Sequence, residues 1–402
     1  MKFKIQMSQV VLDFVFWKFE FVSYLVLRIS NFFMIMTNGK KKSRVLTALS
    51  GGVDSAVAAT LLKKQGYDVV GVHFVFFDPT WKSGFQIREI AVKIGIPLKI
   101  VDARKEFQKR IIDYFLKEYK EGRTPNPCVR CNKEMKFRLL FDFMKKCEAD
   151  YVATGHYARL RREFPISNFQ FPKKFQIPNL KLQISNYKLL EAFDKTKDQS
   201  YFLYRLSQKE LSKIIFPLGD FKKSEVKKMA KKLKLPVAKE ESQDICFLAG
   251  ADTNSFLEKN IKAKRGDIVG QGGKLLGKHR GLPFYTIGQR KGIRIGGTGP
   301  YWICGKDVRK NRLVVTNDPK EIFAKTFCVS TASWIKSGIK LPLAASVQIR
   351  YHSERIPAII KSSGKSGILK VEAKKPFRAV APGQSAVFYR NGEVLGGGII
   401  KS

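Results

Sequence analysis

Between residues 44 and 153 the chain alternates short apolar runs with amphipathic stretches. Four runs have the length and composition typical of buried strands: 44–49, 67–75, 98–101 and 151–153. Four other stretches carry apolar side chains at helical spacing: 56–66, 87–95, 107–119 and 133–147. This alternation predicts a Rossmann-like α/β domain, with a parallel sheet and crossover helices. Ligands of such sheets bind beyond the carboxyl ends of the strands, where the loops after residues 49, 74 and 153 begin.

The second half of the chain has a different pattern. From residue 266 onward, glycine-rich turns separate short β-type runs, at 267–269, 313–315, 345–351 and 385–389. That spacing predicts an all-β module, a small barrel. Residues 224–233 predict a helix with lysines along it, either a solvated face or a surface for phosphate groups. We therefore predict three domains after residue 40: a catalytic α/β domain (41–215), a small mixed central domain (216–283) and a C-terminal β-barrel (284–402).

Two segments do not fit these patterns. Residues 1–40 are very apolar, but charged side chains interrupt them before any stretch is long enough to span a bilayer, and a small-residue cleavage site is lacking. Interfacial membrane attachment is one interpretation, and we favour an extension outside the folded protein, with the true start at Met34 or Met36. Residues 163–189 repeat one short unit that proline and asparagine punctuate. They predict an inserted hairpin or loop that adds charge and no chemistry.

Charge and cysteine content narrow the class of partner. The 402 residues include 75 Lys and Arg against 34 Asp and Glu, a formal net charge of +41. Such an excess favours a polyanionic partner, nucleic acid ahead of an anionic membrane, although a lysine-rich proteome would produce it too. Six cysteines without disulfide-framework spacing indicate a reducing cytosol. We expect a cytoplasmic protein without a stable membrane partner.

The sequence Ser-Gly-Gly-Val-Asp-Ser, residues 50–55, lies between the first strand and the first helix. A turn of this composition presents backbone N–H groups and the helix dipole to an anion, most often phosphate. The Gly-Lys-Ser/Thr ending of a Walker A loop is missing. From these residues alone, an ordinary strand-to-helix turn explains the pattern equally well.

A second group of candidate residues contains cysteines. Cys128 and Cys131 form a CxxC pair in a loop that two prolines fix. We expect Cys131 to lie at the start of the following helix, where the dipole, Arg130 and Lys133 would stabilise its thiolate. A redox pair, half of a metal site and coincidence all remain open for this pair. Cys246 lies between apolar residues, which is typical of a packed small hydrophobic side chain.

Seven strings, in order along the chain, give these motifs a common interpretation. They are residues 49–55, 122–132, 153–159, 197–203, 216–219, 284–292 and 381–387. From about Arg44 to its end, the chain resembles the bacterial tRNA-specific 2-thiouridylases, a family of the ATP pyrophosphatase (PP-loop) superfamily. The resemblance implies an adenine nucleotide alpha hydrolase-like domain, a small central domain and a C-terminal β-barrel. It also implies 2-thiolation of the tRNA wobble uridine, U34, with release of AMP and pyrophosphate.

The resemblance assigns roles to individual residues. Cys246 matches the cysteine that carries a persulfide, and Cys131 matches the one that assists release and can form a disulfide with it. The positions that match ATP contacts are Ala48, Leu49, Ser50, Gly51, Gly52, Val53, Asp54, Ser55, Phe74 and Gly155. Those that match tRNA contacts are Asn126, Pro127, Cys128, His156, Lys197, Asp198, Gln199, Arg350, Tyr351 and Gln384. The implied cofactor is ATP with Mg²⁺. The implied partners are tRNAs of the Lys, Glu and Gln type and a sulfur-relay protein or cysteine desulfurase.

Cys128 departs from the family pattern, because the best-studied members carry an aspartate there that is proposed as an acid/base. A thiol has a higher pKa and is a weaker hydrogen-bond partner, so the acid/base role does not carry over directly. Together with Cys131 and Cys246, Cys128 would offer three ligands to a [4Fe-4S] cluster with an open iron position. We favour the persulfide route over this alternative and assign no metal ligand.

Two other functions remain open from the sequence. Another ATP pyrophosphatase, such as a GMP-synthetase-type amidotransferase, predicts an ammonia source and no paired cysteines. A non-catalytic basic RNA-binding protein predicts tRNA binding without turnover of ATP to AMP.

Overall fold

The strands predicted in the first part of the chain form one parallel sheet. In a computed structural model of the protein, five strands lie in the order β3-β2-β1-β4-β7, and all their pairings are parallel. They are β1 (Arg44–Ala48), β2 (Asp68–Val75), β3 (Leu98–Asp102), β4 (Tyr151–Ala153) and β7 (Ile214–Ile215). The predicted Rossmann-like α/β domain is confirmed.

The structure describes residues 42–77, 81–163, 186–237, 245–248, 250–296 and 299–401. The predictions for residues 1–40 and for the repeats between 164 and 185 lie outside these residues. Residues Arg44–Ser402 form one compact unit. The predicted domain boundaries at 215 and 283 therefore stay predictions.

Successive residues of β1 face opposite sides of the sheet, as the two-residue period of a strand requires. On one side Val45 packs with Ala59 of α1 (Val53–Lys64) and Ile90 of α2 (Trp81–Ile94). On the other side Leu46 joins a larger core built from the helices of residues 104–146. Both faces of the central strands are covered, which explains why β1 and β2 are buried along most of their length, whereas the edge strand β3 is largely exposed.

The helices of residues 104–146 are less regular than their apolar spacing predicts. They form α3 (Arg104–Phe107), a π-helix (Gln108–Ile112), α4 (Asp113–Lys120), α5 (Pro127–Cys131), a second π-helix (Asn132–Phe137) and α6 (Arg138–Lys146). A π-helix bonds each residue to the one five positions away, and such turns are frequent at functional sites. The helix predicted to begin at Lys133 therefore begins at Pro127 and widens immediately after Cys131.

Three helices precede the second sheet in the chain: α7 (Gln208–Leu211), the basic helix α8 (Lys223–Lys232) and α9 (Thr253–Asn260). Its four strands lie in the order β10-β11-β8-β9. They are β8 (Gly266–Gly270), β9 (Leu275–His279), β10 (Trp302–Asp307) and β11 (Arg312–Thr316). The strand predicted at 313–315 thus pairs with its neighbours in this middle sheet and not in the barrel.

The last six strands close into the predicted barrel. Their order is β12-β15-β14-β13-β16-β17, and β12 pairs with β17 to complete the circle. They are β12 (Phe323–Trp334), β13 (Leu343–Gln348), β14 (Ile356–Ser362), β15 (Ile368–Arg378), β16 (Ser385–Arg390) and β17 (Glu393–Lys401). Val329, Val347, Ile360 and Phe388 are buried in a core formed by the barrel strands.

The predicted insertion begins and ends on a hairpin. Strands β5 (Ala158–Glu163) and β6 (Asn186–Glu191) are antiparallel, and β6 joins the barrel where Leu190 meets Glu393 of β17. Within the described ranges, the helices are all too short or too polar to cross a bilayer.

Candidate active site

The turn 49–52 joins β1 to α1 and has the geometry of an anion cradle. Gly51 has a φ of +86°, a left-handed conformation that favours glycine. The buried Ser55 hydroxyl accepts the N–H of Ser50 at 3.1 Å and donates to the carbonyl of Gly52 at 3.0 Å. Because Gly52 is the N-cap residue, it has no side chain with which to cap α1. The first N–H groups of the helix can therefore serve a bound anion.

Asp54, in the first turn of α1, has two partners from distant parts of the chain. The Nζ atom of Lys223 lies 2.7 Å from each of its carboxylate oxygens. The hydroxyl of Tyr157 donates to Oδ1 at 2.8 Å. These contacts bring the start of α8, the basic helix, to the edge of turn 49–52, which we call the phosphate turn.

Gly155 closes the other side of the turn. A Cβ atom at this position would lie 2.8 Å from Asp54 C and 2.8 Å from Ser55 N, so only glycine fits against this backbone. Phe74, at the carboxyl end of β2, is 8% exposed, and its ring packs between those of Phe76 and Phe143. Gly155 contacts the backbone of the first turn of α1 directly, whereas Phe74 contributes a buried apolar surface.

The CxxC pair lies on α5 and is held from two sides. Asn126 caps the helix, its Oδ1 accepting the N–H groups of Cys128 and Val129 at 3.2 and 3.3 Å. Cys131 is 5% exposed, and burial raises the pKa of its thiol to about 12. The nearby Cys246 and Cys128 act on it in the same direction. Cys128 and Cys246 therefore both lie within electrostatic range of Cys131.

The predicted activation of Cys131 by Arg130 and Lys133 is wrong. Arg130 bonds Glu134 at 2.8 Å and stacks on the ring of Tyr114, and Lys133 bonds Glu210 at 2.7 Å. Because Cys131 is the last residue of α5 and not the first of a helix, its thiol does not lie at a helix N-terminus either.

Lys136, and not Arg130 or Lys133, is the cation that acts on the thiols. It lowers the pKa of Cys131, of Cys246 and of His156, although burial outweighs this effect at each thiol. An α-helix would place residues 131 and 136 about 140° apart, whereas the wider turn of a π-helix brings positions five apart toward one face. Within the described residues, Lys136 makes no ion pair.

Cys246 lies in a short 3₁₀ turn, Cys246–Leu248, that its neighbour anchors. The ring of Phe247 packs against those of Phe107, Phe115 and Phe256, with centroid distances of 6.0, 5.2 and 5.4 Å. Cys246 is exposed as a residue, while burial of its sulfur raises the pKa of the thiol. All six cysteines are free.

From the sequence, the three cysteines near this site are candidate ligands of an iron–sulfur cluster. In the parts of the chain that the structure describes, no three His, Cys, Asp or Glu side chains are grouped so as to hold a metal ion. Cys128, Cys131 and Cys246 are all among these residues, so in this arrangement they do not fit a three-cysteine cluster.

His156 connects the two groups of residues. It follows Gly155, and its ring stacks on Phe137 at 6.0 Å while its Nδ1 contacts the Thr154 hydroxyl at 2.8 Å. Burial lowers the pKa of His156 to about 3, so the ring is neutral at physiological pH. Lys136, next to Phe137, acts on the pKa of both His156 and Cys131, so the loop 154–156 lies between the start of α1 and the surroundings of the cysteines.

The other predicted tRNA contacts have structural partners. Asp198 is buried and accepts the N–H groups of Ala192 and Ser200, at 3.0 and 3.1 Å, and burial raises its pKa. Gln199 forms a reciprocal pair with Tyr157 through its side chain and its backbone. Lys197, between Thr196 and Asp198, is half-buried.

Two predicted contacts in the barrel also bind neighbouring segments. Arg350 donates to the carbonyls of Ala379 and Ile287 at 2.8 and 3.2 Å. Gln384 donates to the carbonyl of Thr124 at 2.8 Å, immediately before the loop of Asn126 and Pro127. The ring of Tyr351, next to Arg350, lies 4.4 Å from that of Phe202. A role of these residues toward tRNA stays a prediction.

Sequence reasoning missed Lys136 and Tyr157, and it grouped Lys223 with the other lysines of the basic helix, as part of a solvated face or of a surface for phosphate groups. Lys223 had a signal, since it begins the helix after the 216–219 string. Tyr157 lies inside a matching string, two residues after Gly155. Lys136 had no local signal, because its position depends on the π-helix.

A parallel α/β sheet with an uncapped Ser-Gly-Gly turn at its nucleotide edge defines the PP-loop class of ATP-using enzymes. Three family models match the chain in succession. They are the tRNA methyl transferase HUP domain (residues 43–250), the tRNA methyl transferase PRC-barrel domain (254–317) and the aminomethyltransferase beta-barrel domain (324–400).

Curated relatives identify the family. The chain is 38% identical to the tRNA-specific 2-thiouridylase MnmA of Bacillus licheniformis, over 91% of this chain and 96% of the relative. The MnmA of Bacillus subtilis gives the same three values, and that of Syntrophomonas wolfei is 39% identical over 89% and 99%. The protein belongs to the tRNA-specific 2-thiouridylases, PP-loop enzymes of tRNA 2-thiolation, which confirms the resemblance. An NMN synthetase structure from Francisella tularensis aligns with a TM-score of only 0.28, at 15% identity over 48% of this chain and 63% of that one.

Proposed function

We propose that this protein uses ATP to convert the wobble uridine of tRNA, U34, to 2-thiouridine, with sulfur from a persulfide on Cys246. The observation that carries the proposal is the loop 154–156. Gly155 lies against the backbone at the start of α1, and the ring of His156 stacks on Phe137, which is next to the Lys136 that acts on Cys131. An activating site and a sulfur site are therefore connected by three consecutive residues.

The first step activates the uridine, because its C2 oxygen is a poor leaving group. The C2 oxygen attacks the α-phosphate of ATP, the bond between the α-phosphate and the bridging oxygen breaks, and pyrophosphate leaves. The N–H groups at the start of α1, which Gly52 does not cap, would hold the phosphates. Mg²⁺ would accompany ATP and neutralise phosphate charge, with the half-exposed Asp54 offering carboxylate oxygens of the kind this ion prefers.

The second step transfers sulfur. The terminal sulfur of the Cys246 persulfide attacks C2, and AMP leaves with the original oxygen. The Cys131 thiolate then attacks the Sγ atom of Cys246, which breaks the sulfur–sulfur bond and releases 2-thiouridine. A Cys131–Cys246 disulfide remains, and an external thiol reductant restores both thiols. The high pKa of Cys131 keeps it protonated until this stage, and Lys136 is the cation that favours its thiolate.

The net charge of +41 favours tRNA as the polyanionic substrate. Exposed lysines on α8 offer phosphate contacts, whereas a uridine turned out of the stack would supply selectivity. We extend the proposal to tRNAs of the Lys, Glu and Gln type, to a sulfur-relay protein or cysteine desulfurase upstream, and to the cytoplasm. No step is assigned to a [4Fe-4S] cluster, because the three cysteines do not fit one.

The test is mass spectrometry of tRNA nucleosides after incubation with ATP and a persulfide donor. We expect 2-thiouridine at the wobble position and one AMP for each thiolation. Cys246→Ala should abolish thiolation while tRNA binding stays near that of the unmodified chain. Cys328→Ala, a half-exposed cysteine on barrel strand β12, is the matched control and should be fully active.

Three results would contradict the proposal. The first is a wild-type protein that binds tRNA but forms neither AMP nor 2-thiouridine with a competent donor. The second is thiolation that survives Cys246→Ala. The third is stoichiometric iron and acid-labile sulfide in anaerobically purified protein, lost on Cys128→Ala, which would replace the persulfide route.

A further inference from the structure

Lys223 differs from the other lysines of the basic helix. Its side chain is 13% exposed, and its ammonium contacts both carboxylate oxygens of Asp54 at 2.7 Å. The same Nζ atom lies 5.6 Å from the centre of the Tyr157 ring. Lys227 and Lys228, one turn further along α8, are exposed to solvent. Lys223 is therefore directed at the phosphate turn and not at the surface.

This ion pair needs an explanation other than stability. Removing charges from water has a desolvation cost, so a partly buried ion pair such as this one adds little net stability compared with apolar packing. Asp54 also lies in the first turn of α1, where the helix dipole already favours its negative charge. A cation held beside an anion-binding turn is instead suited to an anion that arrives there.

Only the side chain of Lys223 is able to move easily. Its backbone N–H donates to Asp194 at 2.9 Å, and the preceding N–H of Lys222 donates to Glu225 at 2.7 Å. Val226 and Ala230 fix α8 against α1 through a shared apolar cluster. The flexible four-carbon stem then lets the ammonium change partners while the helix stays in place.

We propose that Lys223 is a phosphate-binding residue whose ammonium leaves Asp54 for the β- and γ-phosphates when ATP binds. This inference rests on the proposed function and deepens it at the same site. A triphosphate presents more negative charge than one carboxylate, and lysine is a common phosphate ligand. The transfer would leave Asp54 to Mg²⁺ and would keep a positive charge on pyrophosphate as it departs.

The experiment measures the affinity of the full chain for inorganic pyrophosphate by calorimetry, in buffer with EDTA so that Mg²⁺ does not contribute. We expect Lys223→Met to weaken binding about tenfold or more, the usual effect of losing a charged hydrogen bond. Lys223→Arg should retain most of the affinity. The control Lys228→Met removes one exposed charge from the same helix and should change affinity less than about threefold.

A double variant separates direct contact from simple charge balance. Lys223→Met also leaves Asp54 unneutralised, and that charge alone would repel pyrophosphate. If Lys223 binds phosphate, Asp54→Asn with Lys223→Met stays weak, whereas Asp54→Asn alone binds at least as tightly as wild type. Equal affinities of the double variant and Asp54→Asn would overturn the inference. Wild-type protein that binds neither pyrophosphate nor ATP would instead contradict the proposed function.

Discussion

Substituting Gly155 by alanine tests whether the loop after β4 sets the geometry of the phosphate turn. The added Cβ atom would lie 2.8 Å from Asp54 C, 2.8 Å from Ser55 N and 3.0 Å from Asp54 O. All three atoms belong to the backbone of the first turn of α1, so no side chain can rotate away. Gly155→Ala therefore forces either the loop or the start of the helix to shift.

The size of the effect follows from the missing space. Ordinary van der Waals contact begins at 3.4 Å, so the new methyl group is roughly half an ångström too close to two atoms. Overpacking of this kind costs about 1–3 kcal/mol. If the loop yields, this cost reduces the free energy of unfolding. If the turn yields, ATP affinity falls by about 5- to 150-fold, since 1.4 kcal/mol corresponds to a factor of ten.

The assay combines urea unfolding with calorimetry of ATP binding. The predicted quantity is the sum of the loss in unfolding free energy and the loss in the free energy of ATP binding. Gly277→Ala is the matched control. Gly277 lies within β9, and a Cβ atom there meets nothing within 4 Å. Gly155→Ala protein whose unfolding and ATP binding both stay within about 0.5 kcal/mol of wild type, the range of neutral surface changes, would refute the reasoning.

Two further predictions concern buried groups near the cysteines. The pKa of His156 is about 3 in the folded protein, well below the ordinary value of 6.5. Between these two pH values only the unfolded chain takes up the proton, so titration of His156 leaves the free energy of unfolding unchanged above pH 6.5 and lowers it as the pH decreases toward 3. When the pH is lowered from 6.5 to about 5, the free energy of unfolding of wild type should therefore decrease by about 2 kcal/mol more than that of His156→Gln. Equal decreases in the two proteins, measured by urea unfolding at both pH values, would contradict this. Lys136→Met should raise the pH midpoint for alkylation of Cys246, because Lys136 lowers the pKa of that thiol, whereas Lys136→Arg should keep the wild-type midpoint and the exposed Lys145→Met should have no effect. An unchanged midpoint in Lys136→Met, measured by peptide mapping, would exclude the assigned role.

The strand–turn–helix at residues 44–64 could be predicted from sequence because all of its determinants are local. Apolar spacing defines β1 and α1, and the glycines mark the turn between them. The parallel sheet followed from the same alternation. Cys131 and Cys246 became candidate site residues only through the family resemblance, since a lone cysteine has no distinguishing pattern, and their roles stay predictions.

The partners of these residues could not be predicted, because they depend on contacts between distant segments. Lys223 and Asp54 are 169 residues apart, and the lysines of α8 indicated only a solvated face or a surface for phosphate groups, with no particular partner for Lys223. The π-helix after Cys131 changes which side chains share a face, so Lys136 replaces Arg130 and Lys133 as the cation near the thiols. Arg130 and Lys133, the two cations predicted from sequence, form ion pairs with Glu134 and Glu210. The choice of these carboxylates depends on the fold.

The C-terminal barrel acts on the cysteines through the loop that precedes them. The N–H of Thr124 donates to the carbonyl of Pro382 at 2.8 Å, and the Gln384 side chain donates to the carbonyl of Thr124 at 2.8 Å. Gly383 approaches so closely that a Cβ atom would lie 3.0 Å from the Thr124 oxygen. Two residues later Asn126 caps α5 and thereby orients the CxxC pair. The barrel therefore does more than provide surface: because it fixes the start of α5 from outside the α/β domain, the position of Cys131 depends on a segment that lies more than 250 residues later in the chain.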